Sequence, residues 1–556
     1  MDASFSWRGM RTRALTRRRL MAGAAGTAGA ALLGGCGVKQ GGSGAANRSG
    51  DGKVKEGGKY AENVKADSPS FDPATRFVTT AAEIEFTQDR LIGWKTGPEV
   101  KYTDFFIEPR LADKWEAPDA QTYTFRLRPG VKFANLPPVN GRDLTSADVK
   151  WTFEYLSRTG WASSLKPAPS AAMFEGLDQI DTPDPGTVVV HFKEPFAPFL
   201  NIVGIEFCGI LAHEVADLDG GFDKNVVGSG PWQLDKASSQ PGVRWNYKKN
   251  PTYWRQGLPH IDQVSQLVIL DDATANAAFQ TKQLDYLYYT GLTGDLAAQI
   301  QRALPTAVLF TTLDPGGKHI YMNVSKPPLN DERVRRAFNL SIDRNAMIQA
   351  LAGGKGQWAL SGGMPGLFTD VEVNKLLPHD PAQAKQLMAA AGYANGVDLT
   401  VIYPGQKYGQ DLISQWQLMQ QQLKPVGINL VLQSIDATEE SNRKRSGDFQ
   451  LEMSPKPLEG DLDEIVYTMF YSKSAGNYGR INDPKLDQLV LAQRREPDIA
   501  KRRDIWRQIG TAVAQGWWSA DLYYTNRYEL WQPSLKDYYP NQGYRGRYLV
   551  QSWLDK

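Results

Sequence analysis

The stretch RTRALTRRRLMAGAAGTAGAALLGGC at residues 11–36 decides where the rest of the chain must fold. Arg17 and Arg18 follow Thr16 and precede Arg19-Leu20-Met21. An uncharged run of Gly, Ala and Leu then ends in Leu33-Gly34-Gly35-Cys36. This order reads as a twin-arginine export signal fused to a lipobox, where a bacterial signal peptide is cut and the new N-terminal Cys is lipidated. Leu20 to Gly35 is 16 residues, short of the ~20 that span a bilayer. Residues 1–35 are therefore expected to be signal peptide and Cys36 the lipidation site. Cleavage removes 35 of 556 residues and leaves 521 to fold outside the cytoplasm. That length exceeds one hydrophobic core and calls for two or three domains.

Export does not bring disulfides here. The chain has two cysteines; with Cys36 lipidated, Cys208 has no partner. Cys208 lies in the apolar run Ile205-Glu206-Phe207-Cys208-Gly209-Ile210-Leu211 and reads as a small buried hydrophobe rather than a nucleophile. The 63 basic residues nearly cancel the 61 acidic ones, which gives no electrostatic case for nucleic acid. Residues 37–55, GVKQGGSGAANRSGDGKVK, hold six glycines among 19 residues. Positions 36–56 are thus expected to be a lipidated Cys and a flexible tether with a reach of roughly 20–25 Å. No later stretch is apolar enough to span a membrane.

From Gly57 the pattern is α/β. Strands are expected at Thr122–Arg128, Thr187–Phe192, Val264–Leu270 and Ile428–Gln433, where β-branched and aromatic residues recur near period two. Thr145, with Asp148 three residues on, predicts a capped helix start. Asp380 before Pro381 predicts another, ending before Gly392, with Ala384, Leu387, Met388 and Ala391 on its apolar face. Asn330 is expected to cap the helix in DERVRRAFNLSI.

Searches for chemistry mostly fail. No two of His191, His213, His260, His319 and His379 form a local metal pair, and H-E-x-x-H and C-x-x-C are both missing. Gly228-Ser229-Gly230 lacks the flanking pattern of a nucleophile elbow. Gly316-Gly317-Lys318-His319 lacks the upstream Gly and following hydroxyl of a phosphate loop. No enzyme activity, cofactor or metal is expected.

Seven collinear blocks remain. They are PRLADKWE (109–116) with TYTFRLRPGVKF (122–133), LTSADVKWTFEYL (144–156), VGSGPW (227–232), NPTYWR (250–255) with PHID (259–262), AFQTKQLDYL (278–287), YMNVSKPPLNDERVRRAFNLSIDR (321–344) and DPAQAKQLMAAAGY (380–393). Together they resemble the family 5 extracellular solute-binding proteins, the peptide/nickel class of ABC-importer receptors. The resemblance implies an α/β, two-lobe hinged periplasmic-binding-protein fold of type II, cluster C-like, with an extra inserted domain. The first lobe would take 57–94, 228–316 and 523–556, the inserted domain 95–227, and the second lobe 317–522. It also implies a solute held between the lobes and a membrane permease as partner, with a monomeric receptor anchored by lipid and facing the periplasm or cell exterior. Peptide is the leading solute; an oligosaccharide, an opine or a chelated metal is the alternative, and an exported non-transport or enzymatic protein a third reading.

Within the blocks, Trp115, Phe125, Leu127 and Phe133 read as core, and Gly228 and Gly230 as permitting a tight crossover. Peptide-binding members place an Asp in a Trp-x-x-Asp-Tyr-x-x-Pro-like segment against the ligand's α-ammonium. The corresponding stretch, Met453 to Glu464, lacks the Trp and puts Pro457 near the expected Asp. Glu459, Asp461 or Asp463 would take that role after a shift, with Tyr478 nearby; a solvated acidic loop is the other reading. The aromatic group Trp517, Trp518, Tyr523, Tyr524, Tyr528 and Trp531 suits sugar stacking or, more simply, core burial.

Two substitutions test the anchoring. Cys36→Ser should block lipidation and release the protein from the membrane fraction, as followed by metabolic lipid labelling; unchanged retention without lipid contradicts it. Replacing Arg17 and Arg18 together with Lys should stop export.

Overall fold

A computed structural model describes residues 53–76, 80–100, 106–288, 292–314, 316–456, 460–540 and 549–556. The signal peptide, Cys36 and the tether as far as residue 52 lie outside the described residues. All described residues belong to one compact unit, Ser43–Lys556.

Burial organises the strands first. The segments with β-branched and aromatic alternation form strands at Thr122–Leu127, Thr187–Phe192, Gln263–Val268 and Ile428–Ser434. Among the described residues these and others assemble into an eight-, a five- and a four-stranded sheet, with two short two-stranded pairings. The eight-stranded sheet carries the first lobe. It draws Lys59–Val64, Trp232–Leu234, Arg244–Lys249, Gln263–Val268, Tyr286–Leu287, Val308–Leu313 and Tyr523–Trp531 from three separate stretches of chain, with Gly356–Trp358 added on Tyr523–Trp531. The five-stranded sheet carries the second lobe, in the order Ile428–Ser434, Val397–Tyr403, Leu451–Pro455, Lys318–Met322 and Ser519–Asp521. The four-stranded antiparallel sheet between residues 112 and 192 has its own core, including Phe125, Phe133, Phe153 and Phe199.

Helix ends follow local chemistry. Thr145 and Asp148 form the capping box of Ser146–Ser157, with Asp148 Oδ2 accepting from Thr145 N at 2.9 Å. Asp380 caps Pro381–Ala390, whose Ala384 and Met388 are buried. The cap expected at Asn330 is instead Asp331, one residue on, whose carboxylate accepts from Arg333 N at 2.8 Å and so starts Glu332–Leu340. A carboxylate at the positive end of the helix dipole outcompetes a neighbouring amide. Phe125, Leu127 and Phe133 are core as expected; Trp115 is only partly buried. Cys208 is buried with a free thiol, and burial pushes its pKa up to about 12.

The chain leaves the eight-stranded sheet after Leu313 and enters the five-stranded sheet at Lys318. It returns between Asp521 and Tyr523. These two crossings run side by side: His319 pairs with Asp521 in the ladder, and Asp314 N donates to Thr525 O at 2.8 Å. Gly228 and Gly230 meet the backbone of Thr87 and Gln88 where the chain re-enters the first lobe. Gly230 N donates to Thr87 O at 3.0 Å. A Cβ at Gly228 would overlap that same carbonyl oxygen, so the requirement is close backbone approach rather than a left-handed turn. Gly228→Ala should therefore cost about 2–3 kcal/mol, read as a lower urea midpoint; a midpoint within error of the parent's would contradict it.

Candidate functional site

Acidic residues at Gly460–Glu464 come first, because they start the helix Asp463–Phe470 and face the inserted body. Asp461 is buried and accepts from both terminal nitrogens of Arg502, at 2.6 and 2.7 Å. Its Oδ2 also accepts from Asn201 Nδ2 at 2.7 Å. Asp463 is buried beside Arg494 at 3.3 Å and accepts from Gln493; burial raises its pKa. Both carboxylates therefore have partners inside the protein, as buried charges require. Glu464 lies 3.8 Å from Arg76, and burial pushes it up to about 7. Glu459 lies outside the described residues. Tyr478 belongs to a different group: its ring meets Tyr321 edge-on at 5.6 Å, and Lys444 Nζ sits 5.1 Å from its centroid.

This acidic segment closes against residues 196–207. Ala197 N donates to Arg494 O at 2.7 Å, and Arg494 lies over the rings of Phe196 and Tyr467. Tyr467 OH donates to Glu175 at 2.9 Å. A Cβ at Gly460 would stand 2.9 Å from Ile205 Cγ2. Residues 460–494 thus meet residues 175–207 through hydrogen bonds, cation–ring contacts and the Gly460–Ile205 approach.

Polar groups on one face of the five-stranded sheet were missed from sequence. Register places His319 opposite Ser454, and Tyr321 opposite Glu452. At one end Lys456, Asp521, His319 and Tyr524 make a buried cluster. Lys456 Nζ donates to Asp521 Oδ2 at 2.8 Å and to Tyr524 OH at 3.1 Å; His319 Nδ1 lies 2.6 Å from Asp521 Oδ1. Burial opposes charge on Lys456 and Asp521, and their mutual attraction wins: the lysine is held above its usual range and the carboxylate well below. Burial pushes His319 down, so it stays neutral. At the other end Glu452 and Glu440 share Lys444, at 3.4 and 3.0 Å. One cation serves two carboxylates, and burial lifts Glu452 to about 8.

Most of the C-terminal aromatics are core: Trp517, Tyr523, Tyr524 and Trp531 are buried. Among the described residues no group of three His, Cys, Asp or Glu could hold a metal, and no helix is long and apolar enough to cross a membrane.

Two lobes and an extra body accord with one family model. The model of the bacterial extracellular solute-binding proteins, family 5 Middle, matches residues 107–478. The chain belongs to this family. Family 5 proteins are solute-binding receptors of transporters rather than enzymes. The chain is 27% identical over 440 residues to a dipeptide-binding protein of Escherichia coli (strain K12), covering 76% of this chain and 80% of that one. Solved structures agree on the fold. HbpA2 from Haemophilus parasuis superimposes with a TM-score of 0.76 at 21% identity, covering 90% of this chain and all of the other. The periplasmic binding protein DppA from Helicobacter pylori, in complex with the peptide STSA, gives 0.72 at 22%, covering 90% and 99%.

Glu452 supplies a pH test within this family 5 fold. Its folded pKa lies above the ordinary carboxyl value, so the folded form holds the extra proton between the two. Stability should fall as pH rises from about 4.5 to about 8, by up to ~1.4 kcal/mol per pH unit. Glu452→Gln should flatten that decline in a Tm series from pH 5 to 8; parallel curves would contradict it.

Proposed function

We propose that this protein is the receptor of an ABC importer that captures peptides between its lobes and delivers them to a membrane permease. The observation that carries this is the family match running through both lobes of the fold, with a dipeptide-binding relative aligned over three quarters of the chain. Twin-arginine export and lipid on Cys36 would hold the body at the membrane as a monomer, binding without turnover. We keep the domain division 57–94, 228–316 and 523–556 for the first lobe, 95–227 for the inserted domain and 317–522 for the second; the three larger sheets have separate hydrophobic cores, with Ala74, Ala81, Ile84, Leu91, Ile92 and Trp94 packing into that of the four-stranded sheet and Tyr523 into that of the five-stranded one. Closure would then be a hinge motion about the two side-by-side crossings.

For the amine end of the peptide, Asp461 and Asp463 are supported less than Glu459, because Arg502 and Arg494 already neutralise them. We assign the ammonium contact to Glu459. Calorimetry with a peptide pool tests it: Glu459→Gln should weaken binding about 10–100-fold. Asp461→Asn should instead lower the Tm, because it leaves Arg502 buried without its counter-charge. Equal binding by Glu459→Gln and the parent would sink the assignment. Mass spectrometry of solute carried through native purification distinguishes peptide from oligosaccharide, opine or chelated metal.

A further inference from the structure

Several polar contacts join groups that belong to different hydrophobic cores. Asn201 lies on the helix Phe199–Val203, whose Phe199 and Ile202 pack into the core of the four-stranded sheet. Its Nδ2 donates at 2.7 Å to Oδ2 of Asp461, which precedes Leu462 in the core of the five-stranded sheet. Glu175 follows Phe174 of the first core and accepts from the Tyr467 hydroxyl at 2.9 Å and from Arg494 at 3.3 Å. Tyr467 is on the helix Asp463–Phe470 and Arg494 is near the end of the helix Pro484–Arg495, which bury Ile465 and Val490 in the second core. Gly460 lets the two surfaces meet, since a Cβ there would stand 2.9 Å from Ile205 Cγ2.

Each group on the second-lobe side also keeps a partner of its own. Asp461 is held by both terminal nitrogens of Arg502 and accepts from Asp463 N at 2.8 Å. Arg494 lies 3.3 Å from Asp463, and Tyr467 stacks on Tyr471 with centroids 5.0 Å apart. These partners remain when the two bodies part. Parting breaks the Asn201 amide bond, the Tyr467 hydroxyl bond and contacts to the half-exposed Glu175, all of which water can replace. No buried charge is orphaned. A contact built in this way opens and closes at small net cost.

We infer that this contact is a latch between the inserted body and the second lobe, which gives the protein a populated closed form before any solute arrives. The inference rests on the receptor reading for its binding readout, but not for its conformational one. The latch bonds form only when the two bodies meet, so they add to whatever a solute contributes. Apparent affinity then rises with the fraction already closed. The open form stays populated as well, because each latch bond replaces a bond to water and is worth little by itself.

Two variants test the latch and leave Asp461 paired with Arg502. Asn201→Ala combined with Tyr467→Phe removes two of its bonds. Asn201→Asp sets a second carboxylate against Asp461 and repels only in the latched form. Spin labels at Lys114→Cys, exposed on the four-stranded sheet, and Val371→Cys, exposed on the helix Asp370–Leu376 of the second lobe, report the distance between the bodies in a Cys36→Ser background; Cys208 is buried and does not label. Without solute the parent should show a latched component in its electron–electron distance distribution. That component should shrink by about threefold or more in the double variant and vanish in Asn201→Asp. The peptide pool should enrich the same component in the parent, and Kd of the double variant should rise about 3–10-fold. Solute-free distributions that are the same in parent and variants overturn the latch, and peptide binding by the parent then leaves the receptor reading intact. A parent that binds no peptide, while its variants lose the component, overturns the receptor reading and leaves the latch standing.

Discussion

A carboxylate with no access to water sits where the chain passes back from one lobe to the other. Asp521 is fully buried, 2.8 Å from Lys456 Nζ and 2.6 Å from His319 Nδ1. Neither charge would be tolerated there alone, and the pair is tolerated because each also has hydrogen-bond partners. The arrangement fixes the ends of three strands of the second lobe and places the two crossings side by side. A hinge of two short strands would otherwise be the softest part of the fold. Here it is anchored by the Lys456–Asp521 pair.

The same need for internal partners explains which parts of the site were legible in the sequence. Cap residues act on neighbours three positions away, so Thr145 with Asp148, and Asp380, announce their helices. Where two candidates adjoin, as Asn330 and Asp331 do, local pattern alone cannot choose; the helix dipole does. The apolar runs disclosed the strands because burial leaves a period-two trace. Gly228 and Gly230 were visible as unusual, but their reason is the Thr87 carbonyl across the fold.

Asp461 and Asp463 show the limit. As a string they are an acidic loop beside the expected amine site. Arg502 and Arg494, which neutralise them, come from helices that the sequence gives no reason to place against that loop. Lys456 was passed over for the mirror-image reason: one lysine between prolines looks exposed, and its partners Asp521 and Tyr524 lie in a distant segment read only as aromatic. Buried ion pairs of high sequence separation leave no periodic signature. The collinear family blocks supplied what such patterns could not, and they located the architecture better than the ligand contacts.

On the proposed receptor reading, the two bodies close around a solute. Small-angle X-ray scattering on the Cys36→Ser protein tests that most directly. Titration with the peptide pool should reduce the radius of gyration, with a midpoint matching the calorimetric Kd, because closure compacts the lobes around bound solute. A radius of gyration that stays constant through saturation would contradict the account.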